Sequence, residues 1–255
     1  MSEILTSPMQ NIQNNRENRI TGLFEKAISD KPEFSLAIIE KLDMDEFREI
    51  REFSLEEYWC DEDSINVFEV SGTRHPDYYG MTWLELLENG KRMKLNLSLF
   101  ESNPGYYLED IRKFPSMSYI RLDGKTYVDA DGNHRTCIAK FYFYYTGRTN
   151  LHGVTVKEYI TDRYTYNAFR NLKELLKEKR LFHIEASPFR EKLSREDTAG
   201  WMREHFKVGI KVRNKRTAVE KIFFGDDVFR LLNRVSSFNI IKKVAPFNDI
   251  DRFLK

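Results

Sequence analysis

The 255-residue sequence predicts an α/β (α+β) fold, and three observations carry that prediction. Residues 65–100 read strand, helix, strand. Two β-prone runs, "SYIRL" and "TYVDA", flank Asp123-Gly124-Lys125 and lead directly into a helical run. A further strand, "GVTVKEYI", then precedes an amphipathic helix, "YNAFRNLKELLKEKRLF". Alternation of period-two and period-3.6 segments is the pattern of a sheet covered by helices.

The elements follow in order. Residues 1–20 are rich in Asn, Gln and Ser and poor in apolar side chains, which predicts a mobile segment outside the core. Residues 21–54 form a helical lead-in of two or three helices, with apolar positions at Leu23, Phe24, Ala27 and Ile28, then Leu36, Ile39 and Leu42, then Phe47 and Ile50, interrupted at Pro32. A core at 55–185 opens with the strand "INVFEV" and the short helix "MTWLELLENG". In "MKLNLSLF", Leu95, Leu97 and Leu99 alternate as in a strand. Asp-Gly favours a tight hairpin turn because both residues tolerate positive φ. The helix after it places Ile138, Phe141, Tyr142 and Tyr145 on one side and stops at Gly147. Residues 186–255 read as a helix-hairpin-helix extension: "REDTAGWMREHF" as helix, "KVGIKVRNKRTAVEKIFFG" as two strands joined at Asn214–Arg216, and "DDVFRLLNRV" as helix.

Composition excludes several classes. Forty-one basic and forty acidic residues balance, so any attraction for nucleic acid must come from a local patch. Cys60 and Cys137 have no ligand-like spacing, against a disulfide framework or a zinc site. The N-terminus lacks a basic and an apolar signal region, and nowhere do 18 apolar residues run together. A soluble, cytoplasmic protein with no membrane partner is expected.

The densest chemistry is "DADGNHRTC", at the join of hairpin and helix. A helix start leaves about four N–H groups unbonded and carries partial positive charge. Gly132 lets a phosphate approach the backbone, Asn133 offers an amide, and His134 and Arg135 add cations. Asp129 and Asp131 would share one face if the strand continued, where they would hold magnesium or orient a water. The structural alternative has Asp131 or Asn133 capping the helix and Arg135 pairing with an acid on a neighbouring turn. Cys137 reads as a packed helix residue. A second loop, "SGTRHPDYYG", gathers Arg74, His75, Asp77, Tyr78 and Tyr79; it reads as a turn with exposed polar residues, the alternative being a ligand-facing loop in which, given a core of nucleotide-binding type, Tyr78 or Tyr79 would stack on a base and Arg74 would reach a phosphate. Basic residues also concentrate near the C-terminus, where Lys211, Arg213, Lys215 and Arg216 are candidate DNA contacts.

The hairpin running into Asp131-Gly132-Asn133-His134-Arg135 and a helix beginning "TCIAKF" resembles the nucleotide-binding segment of the ParB/sulfiredoxin-like superfamily, over roughly residues 55–160. That segment reads Gly-Glu-Arg-Arg in ParB proteins, Gly-Cys-His-Arg in sulfiredoxins and Asp-Gly-His-His-Arg in ADP-dependent serine kinases. Gly132 matches the shared glycine, His134 the sulfiredoxin histidine and Arg135 the common arginine. Asn133 stands where sulfiredoxins have their cysteine, so the sulfinic acid reductase reaction is not expected. The resemblance implies a nucleoside triphosphate, ATP ahead of CTP or ADP, held by Gly132, Asn133, His134, Arg135 and Thr136. With Mg2+ at Asp129 and Asp131, it implies an ATPase or metal-dependent nuclease acting on DNA through Asp131, His134 and Arg135. Two alternatives stay open: a non-catalytic DNA-binding or regulatory module of plasmid or phage partition type, switched by nucleotide, and a small-molecule kinase. The expected partners are a nucleotide, DNA and a second copy of the chain.

Overall fold

The computed structural model describes residues 22–237. The expected mobile segment at 1–20 lies outside the described residues, as does the end of the 186–255 extension. In chain order the elements are α1 (residues 22–29), β1 (Glu40–Lys41), α2 (Met44–Arg51), β2 (Ser54–Asn66), β3 (Val70–Thr73), α3 (Trp83–Asn89), α4 (Met93–Ser102), α5 (Gly105–Leu108), β4 (Ser118–Leu122), β5 (Lys125–Val128), α6 (Asn133–Thr146), β6 (Asn150–Thr161), α7 (Arg163–Glu178), β7 (Ile184–Thr198), β8 (Trp201–Asn214), β9 (Glu220–Phe223) and α8 (Asp226–Ser236). The fold is mixed α/β, as the sequence predicts. Among the described residues no helix is long and apolar enough to cross a membrane.

The chain divides into two compact units built from non-contiguous segments. The first takes residues up to Asp43, then Trp59–Glu158 and Ala199–Trp201. Its strands lie in the order β1-β3-β5-β4-β6-β2. β1 and β3 are parallel, β3 and β5 are parallel, and β4 and β5 form the antiparallel hairpin. Asp123 and Gly124 both have positive φ, 48° and 86°, so the turn is the mirror-image type that matches strand twist. α6 is the central helix of this unit. Cys137, Ile138, Ala139, Phe141 and Phe143 are all fully buried, packed with Trp83, Leu86 and Leu87 of α3 and Met93, Leu97 and Phe100 of α4. Its buried polar groups are satisfied: Thr136 Oγ1 meets Tyr119 Oη at 2.8 Å, and Lys140 Nζ donates to the Val67 carbonyl at 2.7 Å.

The second unit comprises Met44–Tyr58, Tyr159–Thr198 and residues from Met202 onward. Here β8 lies between β2 and β7, with β9 antiparallel to β8. Even-numbered residues of β8 from Glu204 to Asn214 are buried and the odd-numbered ones face outward, apart from the buried Gly209. The helix α7 buries Tyr166, Phe169, Leu172 and Leu176 along one stripe, and Asp162 caps it by accepting from the Thr165 N–H at 2.9 Å.

Four expectations are corrected. "MKLNLSLF" is the helix α4, because Met93, Leu97 and Phe100 satisfy the spacing i, i+4, i+7 and are buried, whereas Leu95 and Leu99 are exposed. "REDTAGWMREHF" is strand-turn-strand, turning at Gly200 with φ 101°; Glu204 stands on the buried face because Lys192 and Arg195 neutralise it. "INVFEV" is not one strand. Asn66 accepts from the Phe68 N–H and forces a 3-10 turn, Val67–Glu69, between β2 and β3. Leu36, Ile39 and Leu42 do not share a helix either: a 3-10 turn ends at Leu36, after which Ile39 and Leu42 donate to the carbonyls of Met81 and Thr73.

Candidate functional site

The site lies within the first unit, at the start of α6. Neither Asp131 nor Asn133 caps the helix. The capping position is Gly132, with φ 115°, a conformation that L side chains rarely adopt. A Cβ there would also lie 3.3 Å from the Met117 Cβ. The Asp131 carboxylate instead accepts from the Gly132 N–H at 2.7 Å and pairs with Arg135 Nη2 at 2.9 Å, one turn further on.

Arg135 is committed within the protein. Its guanidinium donates to Tyr106 Oη and the Pro115 carbonyl, both at 2.6 Å, and to the Ser116 carbonyl at 3.0 Å, and its side chain is only 13% exposed. Burial disfavours its charge, but Tyr106 and Asp131 outweigh that and hold its pKa above the ordinary arginine value. It pins the 115–116 segment to α6.

His134 is half-buried. Its Nε2 faces the Arg92 N–H at 3.4 Å and its ring meets Tyr78 edge-on. Burial first, then the neighbouring Arg92, His75 and Arg135, lower its pKa below the usual histidine value, so at neutral pH it is an uncharged imidazole. At neutral pH it does not supply the switchable positive charge that the sequence suggests.

Asp129 is buried and already neutralised, with Arg74 Nε at 3.0 Å and Lys157 Nζ at 3.1 Å. β5 ends at Val128, so Asp129 and Asp131 do not continue one strand face. Among the described residues no group of three or more His, Cys, Asp or Glu is placed to hold a metal ion. Asp129 and Asp131, the expected magnesium pair, are each paired with protein cations and share no strand face. Arg74 is spent on the same carboxylate, and Tyr78 is buried between His75 and His134 rather than offered to a base. Cys137 is buried and its Sγ donates to the Trp83 carbonyl; burial pushes its thiol pKa up, which removes it from nucleophilic chemistry.

Asn133 and Thr136 differ in kind. Thr136 is fully buried and bonded to Tyr119. Asn133 is 7% exposed, yet among the described residues nothing bonds its side-chain amide, and nothing accepts from the N–H groups of Asn133, His134 and Arg135. The first intrahelical bond is the Thr136 N–H to the Gly132 carbonyl, 2.7 Å.

Two clefts flank this helix start and share Arg92, Asp131, Asn133 and His134. The larger, about 410 Å3, is lined by the apolar side chains of Leu95, Leu99 and Phe114, the last 94% exposed, together with Tyr106 and Arg135. The smaller, about 320 Å3, is polar and adds His75, Asp77, Tyr78 and Lys91. Compared with protein-family models, with curated proteins and with solved structures, the chain matches none.

Sequence reading missed Arg92. Its exposed guanidinium has no acceptor among the described residues, and it reaches both clefts from the turn between α3 and α4. Nothing near it marks it in sequence; only the fold brings it beside residue 134.

The four DNA candidates lie in the second unit, on β8 and in the turn that follows it. Lys211 and Arg213 lie on the outward side of β8, opposite Ile222 and Glu220 of β9. Lys215 pairs with Glu185 at 3.5 Å, and Arg216 lies in the turn, where its N–H donates to Asn214 Oδ1.

Proposed function

We propose that the chain binds a nucleotide at the start of α6, as the resemblance to the ParB/sulfiredoxin-like group implies. The phosphates rest on the first-turn N–H groups, Asn133 and Arg92, and the base lies against Leu95, Leu99 and Phe114. One observation carries the reading: an Asn133 amide without a partner among the described residues, on a residue only 7% exposed, beside three unaccepted N–H groups and opening on clefts of ligand size. An anion resting there satisfies all four donors at once. The cationic role assigned from sequence to Arg135 passes to Arg92.

The geometry favours binding over hydrolysis. Asp77, Asp129 and Asp131 each hold a cation already, so none is a free base or metal ligand. The regulatory, nucleotide-switched alternative is thereby preferred to the ATPase or nuclease reading. The test is a thermal-shift panel of ATP, ADP, CTP and GTP, with and without magnesium. At a hundred times Kd a bound nucleotide stabilises by about 2.7 kcal/mol, so Tm should rise by several degrees. A flat panel would remove the reading.

A further inference from the structure

We infer that the smaller, polar cleft is a second oxyanion subsite, separate from the apolar cleft, that takes a tetrahedral phosphate group. The inference deepens the nucleotide reading and rests on it for the role of the α6 start. Both acids lining this cleft are already paired, Asp77 with Lys91 at 2.5 Å and Asp131 with Arg135 at 2.9 Å. What remains facing the space is donor-rich: Arg92 and the unbonded Asn133 amide. The Asp77 N–H donates to His75 Nδ1 at 3.3 Å, which leaves Nε2 as the ring nitrogen with no hydrogen-bond partner among the described residues. The Arg92 N–H donates likewise to His134 Nε2, leaving the proton of that ring on Nδ1. No leucine or phenylalanine lines this cleft, in contrast to its neighbour, so a nucleobase belongs in the other.

A phosphate reaches this place from one of two sources. A polyphosphate chain seated on Asn133, with its base against Leu99, sends its far end over the shared residues into the polar cleft. Otherwise a separate phosphate monoester or free phosphate occupies it beside the nucleotide.

The experiment follows the His75 and His134 ring signals by nitrogen-detected NMR while inorganic phosphate is added to the full chain. Saturable movement of the His75 signals is expected in wild type and in Leu99→Glu, whose change lies in the apolar wall. Arg92→Gln, at an exposed position that leaves the fold intact, should weaken phosphate by about tenfold, the loss of one charge-assisted contact. His75 signals that phosphate does not move, or that move equally in Arg92→Gln, overturn the subsite. Repeating the titration with ATP present separates the sources: abolished response identifies the nucleotide's own terminal phosphate, and persistent response a second molecule. If phosphate moves His75 while ATP binds neither wild type nor Leu99→Glu, the nucleotide reading fails and the subsite stands.

Discussion

Arg135 shows how one side chain can satisfy a motif and still do something else. In sequence it stands where a phosphate-binding arginine would be, but it spends its donors on Tyr106, Pro115, Ser116 and Asp131. Arg135→Ala should therefore act first on stability. Losing a largely buried guanidinium with three protein acceptors and an ion pair costs about 2–3 kcal/mol, to be read from urea denaturation, while residual nucleotide affinity in the folded fraction should change less than in Arg92→Gln. Equal stability of variant and wild type would return Arg135 to the ligand. The sequence shows a glycine-led helix start here because Asp131-Gly132 is local chemistry. The carbonyls that capture Arg135 come from about twenty residues earlier, and Arg92 from about forty. Side-chain destinations at that range follow from tertiary packing, to which spacing is blind.

Among elements, the hairpin β4–β5 and the helices α3, α6, α7 and α8 were legible because turn residues, caps and apolar spacing agree. Thr82 and Glu85 even close a capping box on α3. The misread segments are those where two periods fit one set of residues. Leu95, Leu97 and Leu99 suit a strand, but Met93, Leu97 and Phe100 suit a helix, and burial against α6 decides. β1 is only two residues long and carries no pattern of its own; its place is set by close approach to β3. A Cβ on Gly72 would lie 2.1 Å from the Glu40 carbonyl oxygen. Gly72→Ala should thus separate the pair, at a cost of about 2 kcal/mol or more. Hydrogen exchange is the check: the Leu42 N–H, bonded to the Thr73 carbonyl at 2.9 Å, should lose protection while Ile120 and Tyr127 in the hairpin keep theirs. Unchanged exchange at Leu42 would show that β1 tolerates the methyl group.

For the whole molecule, the first unit carries a cost at its centre. Lys140 is 1% exposed, ringed by Trp83, Phe34 and Phe68, with the Trp83 ring centroid 4.6 Å from Nζ. Burial lowers its pKa to about 8. The unfolded chain, with an ordinary lysine, binds more protons between that value and about 10.4, so stability should rise with pH across this window. A displacement of this size corresponds to about 3 kcal/mol relative to high pH. Lys140→Met should flatten the rise, which is measured as the difference between wild-type and variant denaturation curves at pH 7 to 10; parallel curves would mean Lys140 does not titrate in that range. No compositional signal announces this lysine, because the three aromatic side chains around it come from three separate elements. The claim on which the functional account stands is narrower: the α6 start holds a polyphosphate through Asn133 and its neighbouring N–H groups. Calorimetric titration of ATP and CTP into folded wild-type and Asn133→Ala protein tests it. Binding to wild type is predicted, weakened about tenfold in the variant by loss of one hydrogen bond to a charged group. No heat with either nucleotide in wild type, or the same affinity in both proteins, would contradict it.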